Sequence, residues 1–182
     1  FKNHREFAIN QTQGVWNHKT AGSIFGKEIA IIGAGSIAQR LKNMLQPFHC
    51  NVMIFGQSAR DGVESISTVQ AHLKKFDCVV LLVPLTTTTR NLVDAQFLGA
   101  MKDGALLVNV ARGPVVNNEA LCAELARKRI FAALDVTDPE PLTQGHPLWG
   151  FENCTVIPHV GGDSDAFEPQ ARIFLADQFQ RV

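Results

Sequence analysis

The sequence predicts an α/β fold, a doubly wound parallel sheet with helices on both faces. Three observations carry this. Short apolar runs alternate with stretches of helical spacing along most of the 182 residues, as strands joined by crossover helices do. The runs are apolar at consecutive positions, as a strand covered on both faces requires. The first run passes straight into a glycine-rich loop that opens a helix.

Residues 1–20 carry no strand signal and read as a linker; 21–182 read as the domain. Within the linker, Phe1 to Phe7 reads as the end of a helix and Gln11 to Gly14 as a break. Trp16 is expected to pack on the adjoining domain. The first strand spans Lys27 to Ile32. Beyond it, Gly33, Gly35 and Ala38 spell G-x-G-x-x-A. Gly33 permits the tight turn, Gly35 lets a pyrophosphate approach the backbone, and Ala38 allows close helix–strand packing. The helix from Ser36 to Leu45 offers that loop its free N–H groups and partial positive charge. Ile37, Leu41, Met44 and Leu45 form its apolar face, and Pro47 ends it.

Asn51 to Phe55 is the second strand, followed by a turn-rich loop from Gly56 to Gly62. Ser67 with Gln70 makes a capping box for a short helix to Lys75. The third strand, Asp77 to Val83, stops at Pro84. Thr86 to Thr89 are expected to cap a helix holding Leu92, Val93, Phe97 and Leu98. The fourth strand is Ala105 to Val110. Asn117 or Asn118 caps the next helix, whose last-turn Arg127 and Lys128 suit the negative end of its dipole. Phe131 to Val136 and Cys154 to Ile157 are the last strands. Asp163 or Asp165 caps a final helix that runs on to Val182.

Composition narrows the function. Hydrophobic residues make up 46% of the chain, enough for a real core. Lys plus Arg and Asp plus Glu both number 17. That balance gives no basic field for nucleic acid or an anionic membrane. No apolar run approaches the ~20 residues that span a bilayer, and no signal peptide is visible. Cys50, Cys78, Cys122 and Cys154 read as reduced, largely buried thiols of a cytoplasmic protein. No His or Cys lies at metal-ligand spacing, so no metal is expected.

In a doubly wound sheet, ligands bind at the carboxyl ends of the strands. Those ends here hold Gly33 to Gly35, Gly56 to Ser58, Val83-Pro84, Arg112, Asp135 with the loop to Glu140, and His159. One edge thus gathers a cation, two acids and a histidine beside a dinucleotide loop. That set suits hydride transfer to the carbonyl of a 2-oxo acid. The planar fork of Arg112 binds a carboxylate. A histidine titrates near neutrality, so His159 can give a proton to the developing alkoxide and take it back. Glu140 would pair with the imidazole and hold its orientation. Singly, each has a plain alternative: an exposed arginine, a packed histidine, a solvated loop acid.

The blocks GKEIAIIGAGSIA, VVLLVPLTTTTRNLV, GALLVNVARGPVVNNEAL, AALDVTDPEPL and HPLWGFENCTVIPHVGG resemble the D-isomer-specific 2-hydroxyacid dehydrogenase family. The likeness runs in order from Trp16 over nearly the whole chain. It implies Arg112 as the contact to the substrate carboxylate and carbonyl. It also implies Glu140 as the partner of the histidine, His159 as the acid/base and Asp135 on the nicotinamide amide. Backbone contacts to the cofactor are implied at Ser36-Ile37, Val83 and Val110-Ala111. Gly33, Gly35, Gly56, Gln57, Ser58, Pro84, Arg112, His159 and Gly161 complete the expected cofactor surface. A homodimer formed through this domain is implied as well.

Two departures from the family pattern stand out. The acid expected about 20 residues beyond the glycine loop is absent; Phe55 is followed by Gly56. Without a carboxylate there, a 2′-phosphate is not repelled. Arg60, with Gln57 and Ser58, could hold it, so NAD or NADP is expected, with NADP mildly favoured. Asp61 counts against this, since it could neutralise Arg60. The family also has a second domain that closes over the substrate, and this chain resembles only the cofactor-binding (Rossmann) domain of such a two-domain enzyme. Little or no turnover is expected of it alone. Phosphoglycerate, glyoxylate/hydroxypyruvate and simple 2-oxo acid reductases all fit. Formate dehydrogenases place glutamine where Glu140 stands. The competing reading is a dinucleotide-sensing, corepressor-like binding module of the same family.

Overall fold

A strand with no polar face must be covered from both sides, and the sheet is built accordingly. The computed structural model describes residues 4–180, the side chain of Gln180 excepted. The expectations placed on Phe1 to Asn3 and on the end of the last helix at Val182 lie outside the described residues. The strands are β1 (Glu28–Ile32), β2 (Asn51–Gly56), β3 (Glu64–Ser65), β4 (Cys78–Leu81), β5 (Leu106–Asn109), β6 (Phe131–Leu134) and β7 (Cys154–Val156). They form one seven-stranded sheet in the order β3-β2-β1-β4-β5-β6-β7. Every pairing is parallel.

The chain leaves β1 toward β2 on one side and returns to β4 on the other, so the switch point lies between β1 and β4. Register then aligns the strand ends. Ile32 pairs with Phe55 and Leu81, Leu81 with Asn109, Asn109 with Leu134, and Leu134 with Val156. The next residues, Gly33, Gly56, Leu82, Val110, Asp135 and Ile157, therefore form one row along the carboxyl edge.

The helices are α1 (His4–Thr12), α2 (Ser36–Leu45), α3 (Ala95–Ala100), α4 (Asn118–Ala126) and α5 (Phe167–Gln180). The two-residue period of a strand divides the core. Ile29, Ile31, Ile54 and Val80 pack with Ala38 and Leu45 of α2. Ala30, Ile32, Phe55, Val79, Leu81 and Leu107 pack on the other face with Phe97 and Leu98 of α3 and Leu121 and Leu125 of α4.

Several expectations are corrected. Short β3 has no apolar run and was not legible. Residues Ile66–Lys75 form 3₁₀ turns capped by Ser65, whose Oγ accepts from Ser67 N. Thr86 to Thr89 do not cap a helix. Thr89 Oγ1 donates to Pro84 O at 2.7 Å and accepts from Thr86 N at 2.8 Å, so the hydroxyls close their own turn. Helix α3 starts only at Ala95, with Asp94 accepting from Phe97 N at 2.8 Å. Asn117 caps α4 as expected, accepting from Ala120 N at 2.9 Å. Helix α5 begins at Phe167, beyond both Asp163 and Asp165. Ile37 and Met44 of α2 are 65% and 70% exposed, so its buried stripe is narrower than its apolar one. Trp16 does not pack on the domain; it is 96% exposed. The tie is made by Arg5 of α1, whose guanidinium donates to the carbonyls of Trp149, Phe151 and Cys154.

Candidate active site

The glycine loop sits at the switch point. Gly33 has φ 122°, and a Cβ there would lie 2.6 Å from Leu82 O, so only glycine fits between the ends of β1 and β4. Gly35 is the N-cap of α2; no side chain caps the helix, and a Cβ on Gly35 would meet nothing within 4 Å. The N–H groups of the first turn thus face open space. Ala38 is buried against β1, while Ser36 and Ile37 face outward.

Beyond β2, Gly56 is buried, and Gln57, Ser58 and Arg60 are exposed. Arg60 and Val63 exchange backbone hydrogen bonds of 2.9 and 2.8 Å around Asp61-Gly62. This turn aims Arg60 back at the glycine loop, where Nη2 donates to Ala34 O at 3.0 Å. No ion pair joins Asp61 to Arg60 among the described residues.

A cleft of about 670 Å³ opens along the strand ends, lined by Ile37, Leu82, Val110, Arg112, Asp135, His159, Gly161, Gly162 and Asp163. Its walls are apolar at Ile37, Leu82 and Val110 and polar where Arg112 and His159 enter. The structure thus gathers Ile37, Val110, Arg112, Asp135, His159 and Gly161 of the expected residues. Gly56, Gln57, Ser58 and Arg60 stand apart from this lining, at the end of β2. Val83 is half-buried, Pro84 is exposed and Ala111 is buried.

His159 Nδ1 is hydrogen-bonded to Glu140 Oε1, so the pair expected from sequence is formed. Nε2 has no protein partner among the described residues. The histidine backbone is left-handed, φ 53°, at a cost of roughly 1–2 kcal/mol for a residue with a side chain. Asp135 holds it there. Its carbonyl accepts from His159 N at 2.8 Å. Its carboxylate, 5% exposed, accepts from Val160 N at 2.9 Å and Gly161 N at 3.0 Å. A Cβ at Gly161 would fall 2.7 Å from Asp135 Oδ2, which is why glycine stands there.

Arg112 is exposed, and its Nη1 donates to Ala111 O at 2.6 Å. Two residues behind it were missed in the sequence. Asn109 is 1% exposed and bonded to the turn that carries Arg112. Gly113 packs so closely on the β6 loop that a Cβ would lie 1.8 Å from Thr137 O. A buried asparagine ending an apolar strand was the available signal. Thr137 Oγ1 donates to Pro139 O at 2.9 Å, and Asn118 Nδ2 to Asp138 O, so the loop bearing Glu140 is braced as well.

The thiols lie away from this chemistry. Burial pushes Cys78 and Cys154 up to about 12, and raises Cys122 less far. Among the described residues, no His, Cys, Asp and Glu cluster is placed to hold a metal ion, and no helix is long and apolar enough to cross a membrane.

A seven-stranded parallel sheet with an uncapped glycine loop at its switch point is a dinucleotide-binding domain of dehydrogenase type. Residues 1–161 match the model of the D-isomer specific 2-hydroxyacid dehydrogenase, NAD binding domain, and the chain belongs to that family. It is 36% identical over 141 residues to the human glyoxylate reductase/hydroxypyruvate reductase, covering 73% of this chain and 43% of that protein. It is 36% identical over 174 residues to the D-3-phosphoglycerate dehydrogenase of Escherichia coli (strain K12), covering 90% and 42%. A solved structure of a D-isomer specific 2-hydroxyacid dehydrogenase from Xanthobacter autotrophicus Py2, in complex with NADPH and MES, superposes with a TM-score of 0.77 at 31% identity. That match covers 87% of this chain and 52% of the other. The chain thus spans about half the length of these relatives.

Proposed function

We propose that the protein carrying this chain reversibly reduces a 2-oxo acid to a D-2-hydroxy acid with NADH or NADPH. The observation that carries this is the convergence on one cleft of Arg112 and His159, the latter paired with Glu140, beside the uncapped N-terminus of α2. The residues fit a dinucleotide. Gly35 leaves room at the first turn of α2, Gly33 and Gly161 keep the backbone close, and Ile37 and Val110 supply apolar walls. Ser36, Val83, Pro84, Ala111 and Asp135 complete that surface in this reading. Asp135 keeps lone pairs for a further donor although its oxygens already hold two N–H groups.

When bound, the nicotinamide supplies or accepts the hydride. The chain supplies the rest. Arg112 binds the substrate carboxylate and draws charge from the carbonyl oxygen. His159 gives that oxygen a proton from Nε2, and Glu140 holds the ring through Nδ1. The leaning of Arg60 over the glycine loop supports the finer reading that NADPH is mildly preferred.

In this reading, 1–20 is a linker, 21–182 the cofactor domain, and a further domain closes over the substrate. A cytoplasmic homodimer joined through this domain is its natural setting. The test is a panel of glyoxylate, hydroxypyruvate and 3-phosphohydroxypyruvate with each cofactor, followed by loss of NAD(P)H absorbance. Turnover by the protein carrying the domain, with cofactor binding but little turnover by the 182-residue chain alone, is expected. Failure of the chain to bind either cofactor would refute the proposal.

A further inference from the structure

We infer that Asn109 is the positioning residue that sets the direction of Arg112; this rests on the dehydrogenase reading above. Asn109 is the last residue of β5, a central strand paired to β4 and β6. It is 1% exposed among apolar neighbours. Burying a primary amide is unfavourable unless its hydrogen bonds are met. The amide oxygen and the amide nitrogen each find a partner within the next three residues. Oδ1 accepts from Ala111 N at 3.0 Å, and Nδ2 donates to Arg112 O at 3.1 Å. One side chain therefore ties together two consecutive residues of the turn that launches Arg112.

The turn needs that tie. Ala111 is buried, so its N–H would otherwise lack water. The β5 ladder ends at Asn109; beyond the turn, Val115 N donates to Arg112 O at 3.2 Å and Val93 N to Val115 O at 3.0 Å, whereas the Ala111 N–H at its start is met by Asn109 Oδ1. On the far side, Gly113 rests on the Thr137 carbonyl, which blocks movement toward the Glu140 loop. Asn109 on one side and Thr137 on the other flank the backbone turn from which Arg112 enters the cleft. A shorter side chain at 109 removes the inner support, and the guanidinium no longer meets a carboxylate at a defined distance from His159. Serine or threonine is too short to reach both partners. Aspartate keeps the bond from Ala111 N–H but has no donor for Arg112 O.

The experiment is a double-mutant cycle in the protein carrying this domain, with glyoxylate as substrate. Asn109→Ala is expected to lower kcat/KM by ~10²-fold, the loss that misplacement of about 1 Å produces. KM is expected to rise, while the Kd of NADPH changes by less than about threefold. Asn109→Asp must show the same direction of loss, since it replaces the donor to Arg112 O by a carboxylate oxygen that repels that carbonyl; its thermal midpoint checks that it folds with the buried acid. In an Arg112→Ala background, Asn109→Ala should change kcat/KM by less than about twofold, because its effect travels through Arg112. Equal losses in both backgrounds, or a full-rate Asn109→Asp enzyme, overturn the inference. A wild-type protein with no turnover on any 2-oxo acid instead overturns the reading beneath it.

Discussion

Arg60→Ala is expected to separate the two cofactors. The guanidinium is held over the glycine loop by its bond to Ala34 O and faces solvent. A hydrogen bond to a charged group contributes ~1.5–3 kcal/mol when sheltered, whereas exposed ion pairs give ~0.2–1 kcal/mol. Arg60 is exposed, so a 2′-phosphate contact of about 1 kcal/mol is the sounder figure. That corresponds to roughly a fivefold loss of NADPH affinity, with NADH changed by less than about twofold. Placing an aspartate at Gly56 is the obvious companion test, but the structure complicates it. Its Cβ would lie 3.0 Å from Val63 Cγ1 and 3.1 Å from Ala34 Cβ, tight enough to disturb the loop itself. Arg60→Glu avoids that contact and adds repulsion of the phosphate. Calorimetric titration of both cofactors into wild type, Arg60→Ala and Arg60→Glu decides the matter. Wild-type NADH affinity tenfold or more above that for NADPH, or equal weakening of both by Arg60→Ala, would end the assignment of Arg60 to the 2′ position.

His159→Ala should lower kcat on glyoxylate by roughly 10²–10⁴-fold with cofactor affinity retained; an unaltered rate refutes its role. Gly113→Ala places a methyl group 1.8 Å from Thr137 O and must part the Arg112 and Glu140 loops. A destabilisation of ~1–3 kcal/mol by urea denaturation is expected, and a variant as stable and active as wild type would contradict it. Burial by itself raises the carboxyl of Asp77, but bonds from Lys102 and Glu28 N–H and the charges of Lys102 and Lys27 outweigh it, leaving it below its ordinary value. A lowered folded-state value stabilises above the unfolded carboxylate pKa and is lost as pH falls through the folded one. Lys102→Met should therefore lower the urea midpoint at neutral pH and change little in acid below that range; equal loss at both would show that the charge pair is not the cause.

Every strand but β3, the glycine loop and the candidate residues Arg112, Glu140 and His159 are legible in the sequence alone. Strands buried on both faces leave consecutive apolar residues, as in Ile29 to Ile32, and a tight turn demands glycine at a position such as Gly33. Both signals are local, so a linear reading finds them. Helix starts were less legible, because Thr86 and Thr89 could either cap a helix or close a turn, and the contacts around Pro84 decided for the turn. Trp16 looked like a packing residue because it is large and apolar, yet Arg5 makes the tie. What stands behind the site is set by contacts between distant segments. Register brought Asn109 and Asp135 to one edge, and chain crossings set Gly113 against Thr137 and Gly161 against Asp135. These are contacts between segments whose approach depends on how neighbouring strands align, and no single stretch of sequence encodes that distance.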